Sequence, residues 1–166
     1  KLTQIIHTIK DSTMSNIYKH LLDPQGKFKL DHSKARGHRN NNPGNLVLTP
    51  IKWKGKVESR RNSDGHFEQF YEMKYGVRAL LKDLLNDINK KKKNTVTQLI
   101  NEFAPSHENN TLAYINVVAR KMGIGINTPF APSKGNMKNL VKAIIKHENG
   151  TQVITDQDFE KAWSIV

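Results

Sequence analysis

The sequence predicts a predominantly helical α+β domain with a small β ribbon. Three observations point there. Apolar residues recur at the 3.6-residue helical period from residue 75 onward. Two short strand-like stretches, one aliphatic and one aromatic, precede that run, with a turn before the second. No period of the solenoid kind repeats. The predicted order is one helix near the N-terminus, the ribbon, then a run of helices.

Tyr75 to about Lys91 is the clearest helix. Val77, Leu80, Leu81, Leu84, Leu85 and Ile88 fall on one face, and the run Lys90-Lys91-Lys92-Lys93 closes it, where cations oppose the helix dipole. That lysine run is a solvated helix end. Asn94 is placed to cap a short helix carrying Val96, Leu99, Ile100 and Phe103. It stops at Ala104-Pro105, because a residue before proline avoids helical geometry. Asn110 or Thr111 starts the next, with Leu112, Ile115, Val118, Ala119 and Met122 inward and Gly123 at its end. Another helix runs from about Asn136 to His147, and Thr155-Asp156-Gln157-Asp158 opens a last one with a capping-box pattern. Ser15 to Leu22 is a further helical candidate. The strand candidates are Asn45-Leu46-Val47-Leu48 and His66 to Tyr71, with a turn at Asn62-Ser63-Asp64-Gly65.

Composition bounds the rest. At 166 residues one domain is expected, divided as an N-terminal helical extension over 1–34 and a main domain over 35–166. No apolar run is long enough to span a bilayer, which takes about 18 residues or more. Lys1 to His7 carries no signal-peptide pattern, and the first residue is not Met, as in a domain cut from a longer chain. With no cysteine, disulfides, thiol nucleophiles and Cys-based zinc sites are all excluded. The net charge of +12 draws polyanions, whether nucleic acid, anionic lipid or bacterial wall. No helix-turn-helix or aromatic stacking motif supports nucleic acid. His147-Glu148 does not continue into a zinc-protease motif, since position 151 is Thr151. No metal or other cofactor is expected. Gly-x-Ser-x-Gly elbows and phosphate-binding glycine loops are missing.

Three places could carry chemistry. The stripe Met137, Leu140, Val141, Ile144, Ile145 reaches Glu148 at the helical period. A carboxylate beside apolar groups is expected to hold its proton to higher pH, as a general acid must. The competing reading is a helix-end residue paired with a lysine or a backbone amide. The segment Arg36 to Asn45 contains Asn40, Asn41, Asn42 and Asn45 around Pro43-Gly44, a loop dense in amide donors and acceptors. Such amides suit aminosugars, or simply build a polar turn. In Pro105-Ser106-His107-Glu108-Asn109-Asn110-Thr111, Glu108 is either a second carboxylate or an acid favouring the helix start. Tyr114 and Asn116 follow and could line a cleft or cover the core.

Taken together, Arg36 to Asn45, Trp53-Lys54-Gly55, Gly65-His66-Phe67 to Phe70, Tyr75-Gly76-Val77-Arg78-Ala79, Ala104-Pro105 with Glu108 to Thr111, and Ala143 to Gly150 resemble phage and prophage virion proteins of the murein-degrading, lytic-transglycosylase and lysozyme-like class. The resemblance covers about Arg36 to Trp163. In soluble lytic transglycosylases the catalytic glutamate ends an apolar helix in an Ala-Ile-Ile-x-x-Glu-Ser-Gly string. Ala143-Ile144-Ile145-Lys146-His147-Glu148-Asn149-Gly150 is similar, with Asn149 in the serine position. In that family the cleft segment follows the glutamate, whereas here the Gly/Asn segment precedes it, as a circular permutation would arrange.

The resemblance implies a lysozyme-like fold and cleavage of the β-1,4 bond between N-acetylmuramic acid and N-acetylglucosamine. Glu148 is then the single general acid and base, with Glu108, Glu68 and Glu72 as alternative carboxylates. Asn40, Asn41, Asn42, Asn45, Asn109 and Tyr114 would position the sugar. The implied partners are bacterial peptidoglycan and other virion proteins, for a monomer made in the cytoplasm and carried in the virion or delivered to the periplasm and wall. A peptidoglycan endopeptidase on the same fold and a non-catalytic virion or wall-binding protein remain the alternatives.

Overall fold

The structure, a computed structural model, describes residues 13–104 and 110–166. The expected site residues Glu108 and Asn109 lie outside the described residues, as do residues 1–12 of the 1–34 extension.

The described chain is predominantly helical. Six α-helices carry it: α1 (Arg36–Arg39), α2 (Met73–Asn89), α3 (Val96–Phe103), α4 (Thr111–Met122), α5 (Lys134–Asn149) and α6 (Asp156–Trp163). Residues 13–17 are also helical and lead into a 3-10 turn at Lys19–Leu21. The helix ends follow side-chain capping. Thr95, rather than the expected Asn94, accepts from the Gln98 amide to start α3. Asn110 does the same for α4 through Ala113, and Gly123 ends α4 with φ +70°. Ser133 starts α5 two residues earlier than the apolar spacing suggested. Thr155 and Asp158 form the expected reciprocal capping box of α6.

The core lies where α2 packs on α6, α4 on α5, and α3 on α4. Leu80, Leu81 and Leu84 of α2 are sealed against Leu99, Ile100, Val118 and the α5 stripe Met137, Leu140, Val141, Ile144 and Ile145. Leu112, expected inward, is instead 63 % exposed, and Tyr114 takes the buried place on α4. With an apolar face wider than the expected positions, α4 rotates the larger aromatic into the core.

The β ribbon reduces to isolated antiparallel bridges among the described residues. Leu48 N–H donates to His66 O and Glu68 N–H to Leu46 O, which frames the Val47–Phe67 bridge. The next residues turn the opposite way, where Val57 N–H donates to Gln69 O and Tyr71 N–H to Gly55 O. One extended segment, 66–71, is thus shared by two short partners. The turn before it is built by Asn62, whose Oδ1 accepts from the Asp64 and Gly65 amides. A second, smaller cluster of Phe28, Val57 and Tyr71 gathers Met14, Tyr18, Leu21, Leu22 and Leu30. It ties residues 13–30 to this irregular region.

Candidate active site

The asparagine segment begins as one helical turn, α1, and not as the loop expected over its whole length. It is pressed between α2 and α5. A Cβ on Gly76 would fall 1.7 Å from the Asn41 carbonyl oxygen, so only glycine lets α2 approach that backbone. On the other side a Cβ on Gly37 would fall 2.4 Å from Asn149 Oδ1. Asn149, in the serine position of the resemblance, is buried at the end of α5 and engaged through its amide nitrogen. Its Nδ2 donates to Pro43 O at 2.7 Å and to Ile145 O at 2.8 Å. The side chain therefore bolts the end of α5 to the asparagine segment.

Glu148 sits beside that bolt, half-buried, one residue before the end of α5. The expectation of a carboxylate on the buried stripe is thus shifted by one position, because Asn149 occupies the sealed place. Asn45 Nδ2 donates to Glu148 Oε1 at 3.0 Å. Asn45 reaches it from a left-handed backbone, φ +53°, a conformation that asparagine tolerates better than most residues. Tyr114 is completely buried, and its hydroxyl finds no hydrogen-bond partner of good geometry. Burial first, and then the nearby Glu148 carboxylate, push the Tyr114 hydroxyl above the usual tyrosine range. His147 stacks on the Tyr114 ring at 3.7 Å between centroids. Glu148, Asn45 and Tyr114 thus converge from three distant parts of the sequence.

Of the other expected sugar-binding amides, Asn40, Asn41 and Asn42 do not join them. Asn40 and Asn42 are fully buried. Asn40 donates to Asp64 Oδ2 and accepts from Gln69 Nε2, each at 3.0 Å. Asn42 donates to Leu46 O and Glu68 O and accepts from the Leu46 amide. Asn41 donates to Phe70 O at 3.0 Å. With their amide groups engaged inside the protein, these three residues hold the segment's shape rather than face a ligand.

Glu68 is also misplaced for catalysis. It is fully buried, and its Oε2 accepts from Lys56 Nζ at 3.0 Å and from the Thr49 amide at 3.2 Å. A buried pair of this kind is a structural link that costs several kcal/mol (~3–5) to break on one side. Glu72 accepts a hydrogen bond from the Tyr18 hydroxyl. Asp64, which sequence reading treated as a turn residue, anchors the outer rim. Burial alone would raise its pKa, but hydrogen bonds from Arg36, Asn40 and the Phe67 and His66 amides outweigh it and hold the carboxyl below its usual range. Arg36 pairs with it through two hydrogen bonds of 2.8 Å. Among the described residues no three His, Asp or Glu side chains gather in a way that could hold a metal ion.

Fold and site together define a predominantly helical protein whose half-buried carboxylate ends a core helix and is held by an asparagine from a distant segment. No family model matches the chain. Over 132 residues it is 33 % identical to Protein P5 of Pseudoalteromonas phage PM2, an alignment covering 78 % of this chain and 80 % of that protein. The chain belongs to the family of that phage protein. No helix of the described residues is long and apolar enough to cross a membrane.

Proposed function

We propose that this chain is a peptidoglycan-degrading glycosidase of lysozyme-like fold in which Glu148 is the general acid and base. The carrying observation is the 3.0 Å hydrogen bond from Asn45 to Glu148. It fixes the orientation of a half-buried carboxylate at the end of an apolar helix, the setting a positioned proton donor requires. Three further features support the reading: the Ala143 to Gly150 string, similar to that of lytic transglycosylases; kinship with a phage protein; and a net charge of +12 suited to an anionic wall.

In this reading Glu148 gives its proton to the glycosidic oxygen, and the bond from that oxygen to C1 of the muramyl sugar breaks. The resulting carboxylate takes a proton from the muramyl 6-hydroxyl, whose oxygen closes onto C1 as an anhydro ring. One carboxylate serves both steps. Glu68 is locked to Lys56, so it does not supply the second carboxylate that a hydrolytic pair would use. Asn45 holds Glu148 in register, and Tyr114 closes the floor beneath it.

Mass spectrometry of purified wall digested by the protein tests this directly. Anhydro-muramyl ends support the one-carboxylate mechanism. Reducing ends would place the chain among hydrolases, freed peptides would make it an endopeptidase, and an intact wall would leave a non-catalytic binder.

A further inference from the structure

Trp53, the first residue of the Trp53-Lys54-Gly55 motif, plays no part around Glu148. It lines a separate cavity of about 470 Å³, within the ~300–1,000 Å³ of small-ligand pockets. Ile51, Trp53 and Leu85 give this cavity an apolar side. Asp83, Asn86 and Asn89 give it polar groups, all three from α2 at successive helical turns, and Lys82 and Lys90 also line it. None of these residues belongs to the Asn45–Glu148–Tyr114 group.

Asp83 is the telling member. Its neighbour Asp87 is paired with Lys91 at 3.4 Å. Among the described residues, Asp83 itself makes no ion pair or side-chain hydrogen bond; burial, and then the Asp87 charge, push its pKa up to about 6. A partly desolvated carboxyl without a partner is costly, and a ligand hydroxyl would satisfy it.

We propose that this cavity is a pyranose-binding site. A pyranose ring has an apolar face of C–H groups and an edge of hydroxyls. The Trp53 indole matches the face, and the carboxyl and amides of Asp83, Asn86 and Asn89 match the hydroxyl and acetamido edge. The site goes beyond the proposed cleavage at Glu148, since it would hold an N-acetylated glycan whether or not that glycan is cut.

The chain has two tryptophans, so titration with N-acetylglucosamine oligomers can be followed on two indole N–H resonances in the intact protein. Trp53→Phe assigns them. The Trp53 signal should move saturably while that of Trp163 stays. Calorimetry should show affinity falling about tenfold or more in Asp83→Ala, and falling measurably in Asn86→Ala. Asn86 is exposed on a helix, so its alanine variant keeps the fold even if changes at Trp53 do not. The proposal is overturned if neither indole responds, if both alanine variants bind as well as wild type, or if adenosine monophosphate binds more tightly than the sugar.

Discussion

Asn45 and Glu148, 103 positions apart in sequence, meet through a single side-chain hydrogen bond of 3.0 Å. The contact depends on neighbours that do no chemistry. Gly37 leaves room for Asn149, Asn149 ties Pro43 to Ile145, and that tie brings the asparagine segment against the end of α5.

Removing the Asn45 amide should therefore affect turnover more than folding. Asn45→Gly is the suitable variant, because glycine accepts φ +53° without strain. One lost hydrogen bond should cost about 1 kcal/mol of stability. Wall cleavage should fall about tenfold or more through misorientation of Glu148. Initial rates and thermal melts of the same preparation separate the two effects. A melting loss large enough to account for all the lost activity would refute a positioning role.

Asn42 should behave in the opposite way. It serves three internal hydrogen bonds from a fully buried position. Asn42→Ala leaves Leu46 and Glu68 backbone groups unpaired, at about 1–3 kcal/mol each. We expect a loss of about 3 kcal/mol or more in denaturant unfolding. A near-native midpoint together with lost activity would return Asn42 to the sugar-binding residues.

Asp83 should make stability fall as pH rises. Its folded pKa of about 6 lies above the usual carboxylate value, so the folded state keeps its proton where the unfolded state has lost it. The stability this contributes is full below about pH 4 and is lost between there and about pH 6. Asp83→Asn removes the dependence. Its melting temperature should match wild type near pH 4 and exceed it above pH 7. Parallel curves across that range would show that Asp83 does not sense burial.

Much of this arrangement was legible beforehand. Apolar spacing located α2 through α6 because each buries a stripe, and Asn110, Gly123 and Thr155 mark ends through local hydrogen bonds or a left-handed backbone. The helical period carried the buried face of α5 to its end but missed by one position which residue is sealed there, Asn149 and not Glu148. Other features depend on partners far away in sequence. The ribbon dissolves because residues 66–71 divide their hydrogen bonds between two short segments. Asn40 and Asn42 look like ligand amides until Gln69, Asp64 and Glu68 are seen to surround them. Tyr114 is buried and Leu112 exposed because α5 covers the face of α4 that carries the aromatic ring. Asp83 gave no sequence signal, being one of several polar residues along α2. Its setting becomes visible only when Trp53, from a distant segment, is found to line the same cavity.

The most direct measurement is the rate of wall cleavage by Glu148→Gln. The glutamine keeps the size of the side chain and can still meet Asn45, so the fold should persist, with an unchanged melting curve to within about 1 kcal/mol. It has no transferable proton. Cleavage should fall by a factor of about 10² or more, the usual scale for a lost general acid. A folded Glu148→Gln protein that releases the same wall fragments at a near-normal rate would contradict the assignment of Glu148.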